Sequence, residues 1–234
     1  MKTDSISRVA WIGVVMAGAF LTPGLRASTV WTQWSSAAAG APGSASGTLN
    51  GITVSFSGEV LGNSVINGTS GVWSSPASSF IGGTVTTSPS TVGDVITEDG
   101  VFTGTNTLTF SSPIVNPVFA IWSLGNPSAP AQFTFDLTPI FEAGGPDVYG
   151  GGPITVSGDV VSGREGSGVV QFTGDITSIS WTDTFEYFYG FSVGEAGPSA
   201  TTPEPSFAVA LGAGFAGLVL MGRLRKSRRL GTAA

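Results

Sequence analysis

Residues 107–125, TLTFSSPIVNPVFAIWSLG, decide the fold class. Leu108 and Phe110 alternate with threonines, and this period of two is typical of a strand with one buried face. Residues 118–122 (VFAIW) then form a continuous apolar run, which is typical of a strand buried on both faces. An Asn-Pro pair at 116–117 lies between the two runs and favours a turn. The stretch therefore predicts two successive strands of a β-rich core.

The same alternation recurs on both sides of this stretch. Apolar residues at every second position predict strands near 52–57, 132–137, 154–156, 170–172 and 185–193. In the last of these, one face is expected to carry Phe185, Tyr187, Tyr189, Phe191 and Val193. Turn-forming Gly, Pro, Asn and Asp clusters separate the runs, and no apolar stripe of helical period interrupts them. We therefore predict an all-β fold, an antiparallel β-sandwich of jelly-roll type.

Composition sets the limits of this domain and of its chemistry. The 234-residue chain contains 35 Gly but no His and no Cys. These absences exclude a Ser-His-Asp triad, a Cys nucleophile, a His-ligated metal site and any disulfide. We place the sandwich at 48–195, with a flexible segment rich in Ser, Ala and Gly at 28–47 and a linker at 196–202.

The first 27 residues have the three parts of a secretory signal peptide. Lys2 and Arg8 precede a short apolar run at 9–21, and the small residue Ala27 is a suitable last residue before cleavage. The apolar run has 13 residues, whereas a membrane span needs roughly 20. We predict export, with an uncleaved membrane anchor as the alternative.

The C-terminal region combines three features in a fixed order. Pro203-Glu204-Pro205 precedes a run of 16 apolar or small residues at 207–222, which we predict as a single transmembrane helix. A basic cluster follows before the short tail 230–234, and it consists of Arg223, Arg225, Lys226, Arg228 and Arg229. Positive charge at this end favours a cytoplasmic location, which leaves the body of the chain outside the membrane.

This order of features at 203–229 resembles the PEP-CTERM sorting signal of bacterial surface proteins that are associated with exopolysaccharide. The resemblance covers about the last 30 residues of the chain. It implies recognition and cleavage near the Pro-Glu-Pro motif by an exosortase-type enzyme. It also implies a membrane-anchored precursor that is then sorted to the cell surface or the extracellular matrix. The alternative is a plain tail anchor.

The exported part, taken as residues 28–204, is strongly acidic. It has fourteen acidic residues and one basic residue, Arg164, which gives a formal net charge of −13. Such a surface repels nucleic acid and anionic lipid, because their phosphates find no cations to pair with. Neutral polysaccharide and divalent cations remain compatible partners.

Two sets of carboxylates are candidates for chemistry. Asp183 and Glu186 are the best pair for glycan hydrolysis, but on an extended strand they would lie roughly 10 Å apart on opposite faces. The other set, Asp94, Glu98 and Asp99, offers oxygen ligands that Ca²⁺ prefers, although no EF-hand pattern is present. Solvated turn acids are the alternative for both sets, and no cofactor is expected otherwise.

Aromatic side chains could also stack on sugars. Trp31 and Trp34 precede the first clear strand, so of the tryptophans they are the ones that we expect to be exposed for glycan contact. The sequence thus predicts a non-enzymatic structural or adhesive surface protein, associated with exopolysaccharide or biofilm. A carbohydrate-binding module is the first alternative, and a carboxylate-dependent glycan hydrolase is the second.

Overall fold

A computed structural model describes residues 28–67, 70–74, 76–89 and 94–197. The predicted signal peptide (1–27), most of the linker and the whole sorting region (203–234) lie outside these residues. The described chain forms fourteen strands: β1 (Val30–Trp31), β2 (Gln33–Ala38), β3 (Gly40–Leu49), β4 (Ile52–Val60), β5 (Ile96–Glu98), β6 (Asn106–Val115), β7 (Pro117–Leu124), β8 (Ala131–Phe135), β9 (Ile140–Gly145), β10 (Thr155–Ser157), β11 (Val160–Gly163), β12 (Gly166–Gln171), β13 (Asp175–Asp183) and β14 (Tyr189–Glu195). Two short 3₁₀ turns, Gly71–Ser74 and Ala77–Phe80, lie between β4 and β5.

The strands form two sheets. The first has the order β1-β14-β7-β12-β9, with β5 also paired to β14, and the second has the order β10-β11-β8-β13-β6-β4-β3-β2. Every pairing between these strands is antiparallel. The predicted all-β class with two antiparallel sheets is therefore confirmed, and the arrangement is that of a β-sandwich.

The main core lies between the two sheets. Phe119 and Phe191 of the six-stranded sheet stack with ring centroids 5.2 Å apart. Trp181 of the eight-stranded sheet stacks on Phe56 at 5.6 Å and contacts Phe119 edge-on at 5.1 Å. Alternate residues of each strand supply these side chains, since successive side chains of a strand point to opposite faces. Aromatic contacts across the sandwich thus fix how the two sheets pack.

A second apolar cluster covers the outer face of the six-stranded sheet. The segment between β4 and β5 places Trp73 and Phe80 over Val118, Ala120 and other outward residues of that sheet. All eight residues of β7 are consequently buried. This confirms the prediction that 118–122 is a strand buried on both faces.

The prediction of a flexible segment at 28–47 was wrong. Strands β1, β2 and most of β3 occupy it, and β3 pairs with β4 along nearly its whole length. Backbone pairing to an existing strand stabilises the segment despite its small side chains. The sandwich therefore begins at Val30 rather than at residue 48. Its C-terminal side reaches Ala196, which we assigned to the linker but which is buried in the second cluster.

The predicted strand at 185–193 begins later than its alternation suggested. Strand β14 starts at Tyr189, whereas Phe185 and Tyr187 lie in the preceding loop with exposed fractions of 64% and 77%. Tyr189, Phe191 and Val193 do share one buried face, as predicted. The alternation continued past the end of the strand because the loop carries aromatic residues of its own.

Candidate functional site

A pocket with a volume of about 530 Å³ lies beside β1 and contains one of the predicted glycan residues, Trp31. The indole of Trp31 is half-buried, and its Nε1 donates a hydrogen bond to the carbonyl of Thr87 at 2.9 Å. Gly194 on the neighbouring strand leaves room for the ring, since a Cβ there would come within 2.7 Å of it. Most other lining side chains are polar: Thr29, Thr32, Gln33, Asn67, Thr87, Ser88, Asp94 and Ser192.

Hydrogen bonds between neighbouring segments hold the walls of this pocket. The backbone N–H of Thr29 donates to Thr86 Oγ1, and the N–H of Thr86 donates back to Thr29 Oγ1, both at 2.9 Å. Asp94 accepts from the backbone N–H groups of Trp34 and Asn67, both at 2.7 Å. The pocket is thus built from fixed segments that present one aromatic side chain among hydroxyl, amide and carboxyl groups.

The predicted exposure of Trp34 was wrong. Its side chain is fully buried, and it contacts Phe191 edge-on with centroids 6.3 Å apart. Residues 33–38 form β2, and Trp34 is the one position of that strand whose side chain turns into the core. Of the two predicted glycan contacts, only Trp31 therefore reaches a pocket.

Four carboxyl groups meet at the edge of the main core. We call Glu59, Glu98, Asp99 and Asp183 the acid cluster. Asp183 Oδ2 accepts hydrogen bonds from the Tyr189 hydroxyl at 2.6 Å and from Asn106 Nδ2 at 3.1 Å. The other end of the Asn106 side chain, Oδ1, accepts the backbone N–H of Glu59 at 2.8 Å. These bonds connect β4, β6, β13 and β14 through polar groups inside an otherwise apolar core.

Two backbone N–H groups donate hydrogen bonds to the Glu59 carboxyl. Its Oε2 accepts the N–H groups of Asp99 at 2.9 Å and Gly100 at 2.6 Å. Gly100 has φ of +73°, which allows the turn after β5 to aim both donors at one carboxyl. Among the described residues, the one donor to the Glu98 carboxyl is Trp181 Nε1, over a long distance of 3.4 Å.

Burial without a cation raises the pKa of these acids. The pKa of Glu98 lies well above its usual range, first because the side chain is fully buried and second because Asp183 is close. Burial is also the main cause of the raised pKa of Asp183 and of Glu59, and the nearby Asp99 carboxyl adds to the effect on Glu59. Arg164 is the single Lys or Arg in the described ranges, and it donates to the Pro127 carbonyl instead.

The acid cluster also leaves oxygens without partners. Within the part of the chain that the structure describes, Glu59 Oε1, Glu98 Oε1 and Asp183 Oδ1 are buried and accept no hydrogen bond. An unpaired buried carboxylate is unfavourable, whereas a protonated carboxyl can donate to a neighbouring oxygen. The arrangement therefore favours the protonated form of Glu98. No sequence pattern indicates a role for Glu59, which is the penultimate residue of the alternating strand β4.

The three residues considered for Ca²⁺ lie in two different places. Asp94 bonds to the backbone of Trp34 and Asn67, whereas Glu98 and Asp99 belong to the acid cluster. The Asp99 Oδ1 atom accepts the N–H of Val101 at 3.1 Å. Over residues 28–197, leaving out the short undescribed gaps, no group of three or more acidic side chains is arranged to hold a metal ion.

The two residues considered for hydrolysis face different surroundings. Asp183 ends β13 and points to Tyr189 and Asn106, as described above. Glu186 lies in the following loop, where burial raises its pKa to about 7 and the Glu165 charge adds to the effect. The Asp183 carboxyl contacts Tyr189 and Asn106, whereas the charge that acts on Glu186 is that of Glu165, so their described contacts differ and give no support for a catalytic pair.

No protein-family model, curated protein or solved structure matches this chain. Among the described residues, no helix has the length and apolar character needed to cross a membrane. The Pro-Glu-Pro motif, the apolar run at 207–222 and the basic cluster lie outside those residues.

Proposed function

We propose that the chain is an exported, non-enzymatic component of the bacterial cell surface or extracellular matrix, associated with exopolysaccharide. The observation that carries the proposal is the order of Pro203-Glu204-Pro205, an apolar run and an Arg-rich end, which resembles a PEP-CTERM signal. In this proposal the run at 207–222 anchors the precursor in the membrane, and an exosortase-type enzyme then removes the tail. The β-sandwich is the part that remains outside the membrane. We also propose that its strands are connected as in a jelly roll.

Replacing Pro203-Glu204-Pro205 by three alanines tests the sorting signal. The variant is expected to stay in the membrane fraction at full length, because the processing enzyme no longer recognises it while the apolar run still anchors it. Fractionation of the producing cells followed by immunoblotting measures this. The matched control replaces Thr201 and Thr202, which lie just outside the motif, by alanine and should be processed normally. Normal processing of the triple-alanine protein would contradict the proposal.

A carbohydrate-binding role is the second candidate, and the Trp31 pocket is the observation that favours it. An aromatic face supplies stacking area for a sugar ring, while surrounding hydroxyl, amide and carboxyl groups can bond to sugar hydroxyls. The strong negative charge of the domain favours a neutral glycan over an acidic one. A glycan hydrolase is not proposed, since Asp183 and Glu186 face different surroundings.

Trp31→Ala is expected to weaken binding to a neutral glycan by at least about tenfold, the effect of losing about 1.4 kcal/mol of contact. Soluble β-glucan, mannan and galactan are suitable probes for calorimetry. Tyr187→Ala is the matched control, because it removes an exposed aromatic ring from a loop outside this pocket. Equal losses in both variants, or no binding by the wild-type protein to any of the three glycans, would contradict the role of this pocket.

A further inference from the structure

Strand β2 is an open edge of the eight-stranded sheet. It ends the strand order, and among the described residues its sole pairing partner is β3. At one end of this edge the backbone N–H of Trp34 donates a hydrogen bond to the Asp94 carboxylate, so this N–H is not available to another strand. A register shift between Trp34 and Ser36 follows, so Ser36–Ala38 is the regular part of the strand that remains available.

The neighbouring surface is exposed on both faces of the sheet. All side chains from Ser35 to Ala39 are exposed, which means that the six-stranded sheet does not cover them. They are serine and alanine, and their small size leaves the backbone accessible to another strand. Natural proteins usually protect such an edge with lysine, proline or a covering segment. Strand β2 carries neither lysine nor proline.

Charge is distributed unevenly around this edge. Residues 28–58 contain no ionisable side chain, whereas all fourteen acidic residues of the exported part lie between Glu59 and Glu204. Two copies of so acidic a domain repel each other over most of their surfaces. Apart from Asp94, which bonds to Trp34 at one end of the edge, the part of the sheet that ends at β2 is uncharged, so that repulsion is weakest there.

We propose that β2 pairs antiparallel with β2 of a second copy of this chain, through Ser36–Ala38. The pairing satisfies backbone groups that otherwise face solvent, and a two-fold axis makes the same short edge serve both copies. The outcome is one sheet that continues from one molecule into the next. An interface of this size is weak, so the association is favoured at high local concentration. The proposal does not depend on the sorting signal.

Cysteine scanning tests this pairing directly, because the chain has no cysteine of its own. Residues directly opposite each other in an antiparallel pair have Cα atoms about 4.5–5.5 Å apart, which suits a disulfide. Single variants Ser36→Cys, Ala37→Cys and Ala38→Cys are made in the full chain and oxidised. The matched control is Ser57→Cys, since Ser57 is exposed on β4, an interior strand of the same sheet.

At least one edge variant should give about tenfold more covalent dimer than Ser57→Cys, because a disulfide needs matched geometry. The product should have twice the mass of the chain. Because Ala37 lies opposite Ala37 when Ser36–Ala38 pairs with itself, adding Ser36→Lys and Ala38→Lys to Ala37→Cys should abolish the Ala37→Cys dimer by placing like charges opposite each other. Equal cross-linking at Ser57, persistence of the Ala37→Cys dimer with both lysine substitutions, or a product with a different partner would each overturn the proposal.

Discussion

At pH 8, the Glu98→Gln protein is expected to be more stable than the wild type. Glu98 is fully buried and lies close to Asp183, and no cation of the described residues lies beside it. Ionising it therefore costs free energy that a neutral glutamine of nearly the same shape avoids. Glutamine keeps an acceptor for Trp181 Nε1 and adds a donor beside the Asp183 carboxyl. Relief of one unsatisfied buried group is worth about 1–3 kcal/mol.

The same physics sets the pH dependence of the wild-type protein. Six carboxyl groups have a pKa raised mainly by burial: Glu59, Asp94, Glu98, Asp147, Asp183 and Glu186. The folded state then binds protons more tightly than the unfolded state does, so stability is highest below the unfolded pKa values, near 4–4.5. It falls as pH rises through the folded values, of which that of Glu186 is about 7.

Ionisation of Glu186 accounts for part of this loss of stability. Allowing for solvent screening, its shift corresponds to about 1–2 kcal/mol between pH 5 and pH 8. For a domain of this size the wild-type melting temperature should therefore be about 2–8 °C lower at pH 8 than at pH 5. In the Glu98→Gln protein the melting temperature should change less between pH 5 and pH 8.

Calorimetric melting from pH 5 to pH 8 measures both effects. Asp175→Asn is the matched control, because Asp175 is exposed and its replacement removes one negative charge without changing the acid cluster. That control should stay within about 0.5 kcal/mol of the wild type. A flat wild-type curve, together with a Glu98→Gln protein that is less stable at pH 8, would show that the acids are not held protonated.

The second large effect is expected from Trp181→Ala. The ring is almost fully buried, and it contacts five phenylalanines of both sheets: Phe56, Phe119, Phe133, Phe135 and Phe191. Its removal leaves a cavity at the centre of the core and takes away the one donor to Glu98. Such a substitution costs about 3–5 kcal/mol, a large part of the stability of an ordinary domain.

The melting temperature of Trp181→Ala should fall by about 6–20 °C. Trp31→Ala is the comparison, because removing the half-buried Trp31 side chain should lower the melting temperature far less. Similar melting temperatures for Trp181→Ala and the wild type would mean that the two sheets do not share this aromatic core.

The fold class could be predicted because alternation is a property of the strand itself. The alternating pattern predicts buried positions for Leu108 and Phe110, and the apolar run predicts them for 118–122; all of these residues are buried in strands β6 and β7. The strands at 33–49 could not be found in this way, because serine, alanine and glycine carry no pattern and depend on pairing with β4. Tertiary pairing, rather than local preference, forms these strands.

The sites were harder to predict than the fold. Glu98 and Asp99 precede a glycine and were interpreted as turn acids, which are usually solvated. The structure buries Glu98 because it ends β5 against Tyr189, with the side chain towards Trp181. Trp34 was expected at the surface because no strand was predicted around it. In both cases, the missing information was which strands are neighbours.

The intact mass of the protein recovered from the producing cells and their matrix shows whether both terminal signals are removed. We expect a form that lacks about 27 residues at the N-terminus, as a cleaved signal peptide does, and about 30 at the C-terminus. That mass would correspond to the β-domain without either terminal signal. Recovery of a chain that still carries residues 203–234 would contradict processing at Pro203-Glu204-Pro205 and make the molecule a tail-anchored membrane protein.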